Sequence, residues 1–293
     1  MKPLDLLELT VLAAIWGASF LFMRLAVPEF GPFALVAVRL GAASAVLLAL
    51  LAWRRQWAGM AQHWRALVFI GAVNSAVPFV LFSYAALSIS AGLSSLLNAT
   101  APLWTALVAF VWLRQTLSLL RALGLVLGFV GVAFLASDQA SFKAGDDHAG
   151  LWAVGACLVA TLCYGISANA TRRYLAAVPA LTVTAGSQTA ASLMLLPLAV
   201  WQWPQAMPGP AAWGSALSLA LLCTAIALVM YFRLLQRVGP TQAVSVTFLI
   251  PVFGMLWGGL FLHEQVSARM LAGGAVVMLG LALAVGLIDP KSR

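Results

Sequence analysis

Charged residues are scarce in this chain of 293 residues. They make up 8% of the sequence, whereas hydrophobic residues make up 63%. A water-soluble domain of this length cannot hide so much apolar surface, so that class of protein is excluded. Apolar stretches of about 20 residues, enough to cross a hydrocarbon core roughly 30 Å thick, recur from end to end. The composition therefore indicates an integral membrane protein embedded in a lipid bilayer.

Carboxylate and imidazole side chains are missing from the middle of every apolar stretch. The eight acidic residues and the three histidines all fall near the ends of these stretches or in loops. Membrane enzymes need nucleophiles, metal ligands or carboxylate clusters, and proton-driven carriers usually have a buried carboxylate or histidine. We therefore expect no enzymatic activity, no metal, no other cofactor and a nearly neutral binding region.

Cysteine and nucleotide-binding motifs are equally sparse. Cys157, Cys163 and Cys223 lie inside apolar stretches without CxxC spacing, which favours small buried residues over disulfides or metal ligands. The sequence also has no phosphate-binding Gly-x4-Gly-Lys-Ser/Thr loop, so the chain does not power itself by ATP hydrolysis.

Proline, glycine and charged residues divide the apolar sequence into ten predicted spans. Each span must be a helix, because a bilayer offers no partner for bare backbone groups. The predicted bounds are 7–26, 32–53, 66–87, 91–112, 122–136, 151–171, 181–200, 213–235, 242–262 and 269–288. With a cytoplasmic N-terminus, most of the 16 Lys and Arg residues fall on the cytoplasmic side, which places both termini there. The net charge of +8 then reflects topology, and no nucleic-acid partner is expected.

The same five-span pattern occurs twice. A shift of 149 residues places Pro102 on Pro251 and Gly124 on Gly273. An odd number of helices per repeat gives the two copies opposite orientations, an arrangement typical of secondary transporters that bind substrate between the repeats. We predict an all-α membrane protein of ten transmembrane helices, with a first repeat at 1–143 and a second, inverted repeat at 144–293 around a central cavity. Duplication without alternating access is the alternative.

Prolines inside the spans mark a candidate site. Pro102 in the fourth span and Pro251 in the ninth lack an N–H and clash with the carbonyl four residues earlier, so we expect kinks there. Those carbonyls belong to Asn98 and Thr247, whose side chains are also polar. A freed carbonyl beside a polar side chain is tolerated only against protein or water, so the pattern favours a central cavity. A dry helix interface is the alternative.

Further polar and aromatic side chains complete the predicted cavity. Amides inside a membrane are costly and therefore suggestive of function, whereas each single aromatic residue has a lipid-facing or core position as its alternative. The predicted substrate-binding set is Trp16, Asn74, Phe79, Tyr84, Asn98, Pro102, Trp104, Tyr164, Gln188, Tyr231, Thr247 and Pro251.

Two other features receive structural interpretations. The spacing of Gly124 and Gly131, repeated later in the chain, predicts that the fifth and tenth spans pack closely without binding ligand. Arg39 and Glu264 lie near the outer ends of their spans. One interpretation is that they form a gate or an ion pair, and the commoner one is that each is a charged side chain that snorkels to the membrane interface.

Several short motifs together resemble the drug/metabolite transporter superfamily, specifically its ten-helix EamA-type exporters. They include Trp16-Gly17, Arg39, and the run from Phe261 to Ser267, which is similar to the family's Leu-x-Glu-x-Leu-Ser motif. The resemblance covers residues 5–288, and within the family the chain looks most like the YddG-type aromatic amino acid exporters. One departure is that the first repeat has Gln115 where the second has Glu264.

The resemblance implies a bacterial inner-membrane exporter with both termini in the cytoplasm. We expect it to export amino acids, aromatic and other neutral ones, or similar small metabolites by alternating access. A drug or nucleotide-sugar carrier on the same fold is one alternative, and a membrane enzyme or assembly factor is a more distant one. The expected partners are a small-molecule substrate and the lipid bilayer, with a monomer expected and a homodimer as the alternative.

Overall fold

The computed structural model describes residues 2–137 and 149–286, and the regular elements in those ranges are helices. The helices agree with the predicted spans to within about four residues at each end. The predicted all-helical membrane architecture is thereby confirmed. The predicted division between repeats, at 143/144, lies outside the described residues.

The described residues form ten apolar helices, labelled α1 to α10 here. The first two form one continuous stretch, Pro3–Trp53, in which Gly31 adopts a non-helical conformation with φ 70° between Pro28 and Pro32. Residues 3–30 are α1 and residues 32–53 are α2. The others are α3 (Trp64–Ala85), α4 (Ala91–Leu113), α5 (Leu119–Ala136), α6 (Ala149–Tyr174), α7 (Ala180–Trp201), α8 (Pro210–Val238), α9 (Val246–Leu262) and α10 (Ala268–Val285). Short helices at Ala58–Gln62 and Pro240–Ala243 precede α3 and α9.

The turn between α4 and α5 has the same construction as the turn between α9 and α10. Arg114 and His263, which are 149 residues apart, both take left-handed backbone conformations with φ 52° and 54° and end their helices. Ser118 and Ser267, also 149 apart, then start the next helix by accepting a hydrogen bond from the backbone N–H three residues on. Two turns of the same construction, 149 residues apart, are compatible with the predicted repeat of a five-helix unit.

The two prolines at matched positions act differently. Helix α4 is interrupted at 99–100, just before Pro102, where one helical segment ends at Asn98 and the next begins at Ala101. This interruption was expected from the clash of the proline ring with the carbonyl of Asn98. Helix α9 instead continues through Pro251, and the chain leaves helical structure only before α9 begins, at 244–245, between the short helix Pro240–Ala243 and Val246. The ninth span therefore has no interruption at Pro251 like the one before Pro102.

Helices α5 and α10 pack closely along their glycines. A β-carbon at Gly124 would lie 2.5 Å from the backbone nitrogen of Ala284 and 2.7 Å from the carbonyl oxygen of Gly280. Only glycine permits such backbone contact between two helices. The close contact predicted for these two spans is thus present, and it sets α5 and α10 to one side of the remaining eight helices.

Candidate functional site

A cavity of about 290 Å³ lies between helices of the two repeats. It is surrounded by α1 to α4 from the first half and by α6 to α9 from the second, and neither α5 nor α10 contributes a lining residue. The described lining residues are Trp16, Ser19, Phe20, Met23, Arg39, Asn74, Phe79, Phe82, Asn98, Ala101, Tyr164, Gln188, Cys223, Thr224, Leu228, Thr247 and Ile250. Pockets for small molecules typically span about 300–1,000 Å³, so this one suits a small solute.

Seven of the twelve sequence-predicted site residues line this cavity. They come from six different helices, and the structure brings them together from positions far apart in the chain. They are Trp16, Asn74, Phe79, Asn98, Tyr164, Gln188 and Thr247. Whether they bind a solute stays a prediction.

The other five predicted residues lie outside the lining. Tyr84 is 58% exposed on the outer surface of α3. It follows Phe82, a lining residue, by two positions, and two residues turn a helix by about 200°. Trp104 packs edge-to-face on Phe129 of α5, with ring centroids 4.7 Å apart. Pro102, Tyr231 and Pro251 are likewise absent from the cavity wall.

The polar groups of the lining differ in how well they are satisfied. The Oδ1 atom of Asn74 accepts a hydrogen bond of 3.1 Å from the hydroxyl of Ser167. The hydroxyl of Thr247 donates to the carbonyl of Val244 at 2.7 Å. By contrast, the buried Oε1 of Gln188 has no partner among the described residues, and the side chain of Asn98 makes no hydrogen bond there. These two amides remain available to a bound solute.

Aromatic rings form much of the apolar wall. Phe82 and Tyr164 stack with their centroids 6.2 Å apart, and Phe20 meets Phe82 edge-on at 5.8 Å. Behind the wall, Tyr231 contacts Trp16 at a centroid distance of 5.3 Å. Tyr231 therefore holds the Trp16 ring in place from behind, where it had been expected to face the cavity.

Arg39 corrects two expectations drawn from the sequence. Its side chain is not a snorkelling charge at the outer end of α2, because the residue is only 6% exposed and lines the cavity. The cavity is consequently not neutral. The sequence did carry a signal for this position, since Arg39 follows Pro32 by seven residues and thus lies about 10 Å inside the span.

Glu264 forms an ion pair, but its partner is Arg24. The Nε of Arg24 lies 3.3 Å from Oε1 of Glu264, and the two side chains are 17% and 11% exposed. Glu264 also accepts hydrogen bonds from the backbone N–H groups of Ala91 and Gly92, which open α4. Arg24 donates to the carbonyl of Ile89 in the preceding turn. The pair therefore ties α1, the turn before α4 and the turn after α9 together at one face of the protein.

The opposite end of α1 carries a second ionic contact. Arg237, in the last turn of α8, lies 3.5 Å from the carboxylate of Asp5 and also contacts the carboxylate of Glu8. These side chains sit at the membrane face opposite Glu264. Helix α1 is thus fixed to the second half of the chain at both of its ends.

Two segments of π-helix contribute residues to the cavity wall, and the sequence pattern did not predict them. They occupy Ala72–Ala76 in α3 and Leu221–Ile226 in α8, which begin 149 residues apart. Asn74 lies in the first segment, and Cys223 and Thr224 lie in the second. A π segment widens the helix locally and is often found at functional sites. Here both segments place polar side chains on the cavity wall.

The sequence of this chain is similar to those of known transporters. The sequence model of the EamA-like transporter family matches residues 6–137 and 151–286. An uncharacterized transporter of Archaeoglobus fulgidus is 22% identical, over 97% of this chain and 99% of that protein. A probable terminal-alkyne amino-acid exporter of Streptantibioticus cattleyicolor is 27% identical, over 96% of this chain and 93% of that protein. A protein of known crystal structure has the same fold, with a TM-score of 0.68, 19% identity and coverage of 97% and 98%.

Proposed function

The chain belongs to the EamA-like transporter family, and we propose that it exports amino acids or similar small metabolites by alternating access. The proposed solutes are aromatic and other neutral amino acids. Family membership indicates a multi-pass membrane transporter rather than an enzyme. The narrower likeness to the YddG-type exporters stays a prediction.

The observation that carries the proposal is the cavity enclosed by both halves of the chain. Eight helices contribute residues to the cavity wall, four from each half of the chain, so the cavity is not formed by any single pair of helices. A solute bound there contacts both repeats, so rocking one repeat against the other exposes it to alternate faces of the membrane. A cavity of about 290 Å³ favours an amino acid over a nucleotide sugar. The name of the relative from Streptantibioticus cattleyicolor, an amino-acid exporter, supports the same class.

Within this proposal, the cavity residues divide into two groups. Asn98 and Thr247, at matched positions of the two halves, bind the polar head of the solute together with Gln188. Trp16 and Tyr164 contact its side chain, and Tyr231 supports Trp16. The proposed topology keeps both termini in the cytoplasm of a bacterial inner membrane, with the protein acting as a monomer.

The proposal is tested with purified protein in liposomes. We would follow exchange of labelled phenylalanine, tryptophan, methionine and threonine, with and without an imposed pH gradient, and use protein-free liposomes as the control. Exchange that is independent of the pH gradient is the expected result, because no described carboxylate lines the cavity. Exchange that requires the gradient contradicts a carrier driven by the solute gradient alone. Folded protein that exchanges none of the four contradicts the amino-acid proposal and favours a drug carrier.

A further inference from the structure

Arg39 is a buried cation without an anionic partner. It is the only charged residue among the described residues that line the cavity, and 6% of it is exposed. Charged side chains inside a membrane protein are expensive unless they are paired, and they commonly mark the path of a substrate. The position of Arg39 therefore requires a reason beyond packing.

The acidic residues that the structure describes are all engaged elsewhere. Glu264 pairs with Arg24, and Asp5 and Glu8 pair with Arg237. Glu29 accepts a hydrogen bond from the backbone N–H of Gly209. Each of these contacts lies at a helix end, away from the cavity. Within residues 2–137 and 149–286, no carboxylate is left to neutralise Arg39.

The guanidinium of Arg39 is held in place by uncharged neighbours. Its Nε donates a hydrogen bond of 3.0 Å to the hydroxyl oxygen of Thr224. That hydroxyl in turn donates to the carbonyl of Leu219 at 2.8 Å, so its oxygen is free to accept from Arg39. One face of the guanidinium covers the ring of Phe79, with Cζ 3.8 Å from the ring centroid. The group is thus fixed from α8 and from α3.

The two terminal nitrogens of Arg39 remain open. Among the described residues neither Nη1 nor Nη2 has a hydrogen-bond partner, although the residue faces the cavity. A planar guanidinium with free terminal donors matches a carboxylate, which accepts two parallel hydrogen bonds from it. The unpartnered Oε1 of Gln188 offers an acceptor elsewhere on the same wall.

We propose that Arg39 binds the carboxylate of the transported solute, and that the protein therefore carries small monocarboxylates whether or not they also have an ammonium group. The inference rests on the proposed transport function and narrows its substrate class. The cavity offers a positive charge and no described negative charge, so an anion neutralises it while an amine without a carboxylate is repelled. Hydroxy and oxo acids of amino-acid size belong to the class, and cationic drugs do not.

The test uses four ligands that share a phenylethyl body. Phenylalanine and phenyllactate carry a carboxylate, whereas phenylalaninamide and phenethylamine do not. Binding is measured as thermal stabilisation of the full-length protein in detergent, over a range of ligand concentrations. Both carboxylates should stabilise the wild type, and the amide and the amine should not. Phenyllactate should bind at least as tightly as phenylalanine.

Substitutions then assign the effect to Arg39. Arg39→Gln should weaken binding of both carboxylates about 30-fold, the loss expected for a charge-assisted hydrogen-bonded pair. The affinity of Arg39→Lys should lie between those of the wild type and Arg39→Gln. Arg269→Gln is the matched control, because it removes one positive charge from an exposed position and should bind like the wild type. If Arg39→Gln does not fold, Thr224→Val and Phe79→Leu keep the charge but release the guanidinium. Both should then weaken carboxylate binding.

Three results would overturn the assignment. They are equal stabilisation by phenylalanine and phenylalaninamide, wild-type carboxylate binding by Arg39→Gln, and no stabilisation by any carboxylate. Liposome flux separates this inference from the function on which it rests. Flux without preference for carboxylates would contradict the role of Arg39 and still support transport. Arg39-dependent binding without flux would contradict transport and still support the carboxylate site.

Discussion

Among single residues, two asparagines inside predicted spans have the same chemistry and opposite roles. Asn98 lines the cavity and makes no hydrogen bond to the described protein. Asn169 is 2% exposed and its Nδ2 donates to the carbonyls of Thr105 at 3.0 Å and Gly165 at 2.8 Å. Asn169 thus joins α6 to α4, whereas Asn98 is left for a solute. Both are amides inside predicted spans, and only their surroundings distinguish them.

The two asparagines therefore provide a matched pair of alanine substitutions. Asn98→Ala should lower transport about tenfold without changing the melting temperature in detergent, because only a solute loses a hydrogen bond. Asn169→Ala should lower the melting temperature, since one hydrogen bond to α4 and one within α6 are lost, while the KM of the folded protein stays unchanged. Liposome flux and a thermal melt measure the two effects. Wild-type flux in Asn98→Ala, with normal protein levels, would contradict its place in the site.

Among the helices, glycines permit close backbone contact in some pairs. Gly124 faces the backbone of α10 at distances that exclude a β-carbon, whereas a β-carbon at Gly155 in α6 would meet nothing within 4 Å. A glycine in an exposed helix interior costs about 1 kcal/mol relative to alanine. The same substitution therefore has opposite consequences at the two positions.

Gly124→Ala should lower the melting temperature, because overpacking a tight backbone contact costs about 1–3 kcal/mol. Gly155→Ala should leave it unchanged or raise it slightly. The comparison needs only thermal melts of the two variants in the same detergent. A Gly124→Ala protein as stable as the wild type would mean that α5 and α10 are not packed as the structure describes.

The π segments are a second feature of this scale. In α3, Pro78 removes the backbone donor that an α-helix would use to bond the carbonyl of Asn74, so the segment just before it is free to widen. In α8 no proline accompanies the segment Leu221–Ile226. There the hydroxyl of Thr224 bonds the carbonyl of Leu219, five residues back, which satisfies one backbone group of the widened turn. Two different local devices give similar segments in the two halves.

At the scale of the whole molecule, the two ionic contacts of α1 lie at opposite faces. Arg24 and Glu264 close one end, and Arg237 with Asp5 and Glu8 closes the other. Alternating access requires that the contacts at each face break in turn. Cys223 lines the cavity but is only 1% exposed, so labelling of its thiol should report an opening that lets a reagent reach it.

Breaking either contact should open its own face of the protein. Under the proposed topology, and in a background with Cys157→Ala and Cys163→Ala, Glu264→Gln should speed labelling of Cys223 by a membrane-impermeant thiol reagent added from the outer face. Arg237→Gln should do so from the cytoplasmic face. The expected change is about fivefold, which corresponds to about 1 kcal/mol for a partly exposed ion pair. Arg269→Gln should change neither rate, and equal labelling from both faces in all variants would contradict the gating role.

Some features of this protein can be predicted from the sequence, because they are properties of single spans. The apolar runs and their punctuation determined the membrane class and ten helices, because the hydrocarbon core demands length, apolarity and internal hydrogen bonds of each span separately. The glycine spacing likewise determined which two helices pack closely. These are local properties, and a sequence states them directly.

The packing of the helices sets which polar residues share a cavity. Tyr84 and Phe82 are close neighbours in sequence, yet they face opposite sides of α3. Glu264 was a candidate partner for Arg39, and the fold instead places it beside Arg24, which leaves Arg39 unpaired on the cavity wall. A pairing depends on how helices rotate and cross, and the energies that set those rotations come from contacts between residues far apart in the chain, such as Ser167 with Asn74. The residue pattern alone thus indicates a membrane transporter of ten helices, whereas the positive charge in its cavity follows from how those helices pack against each other.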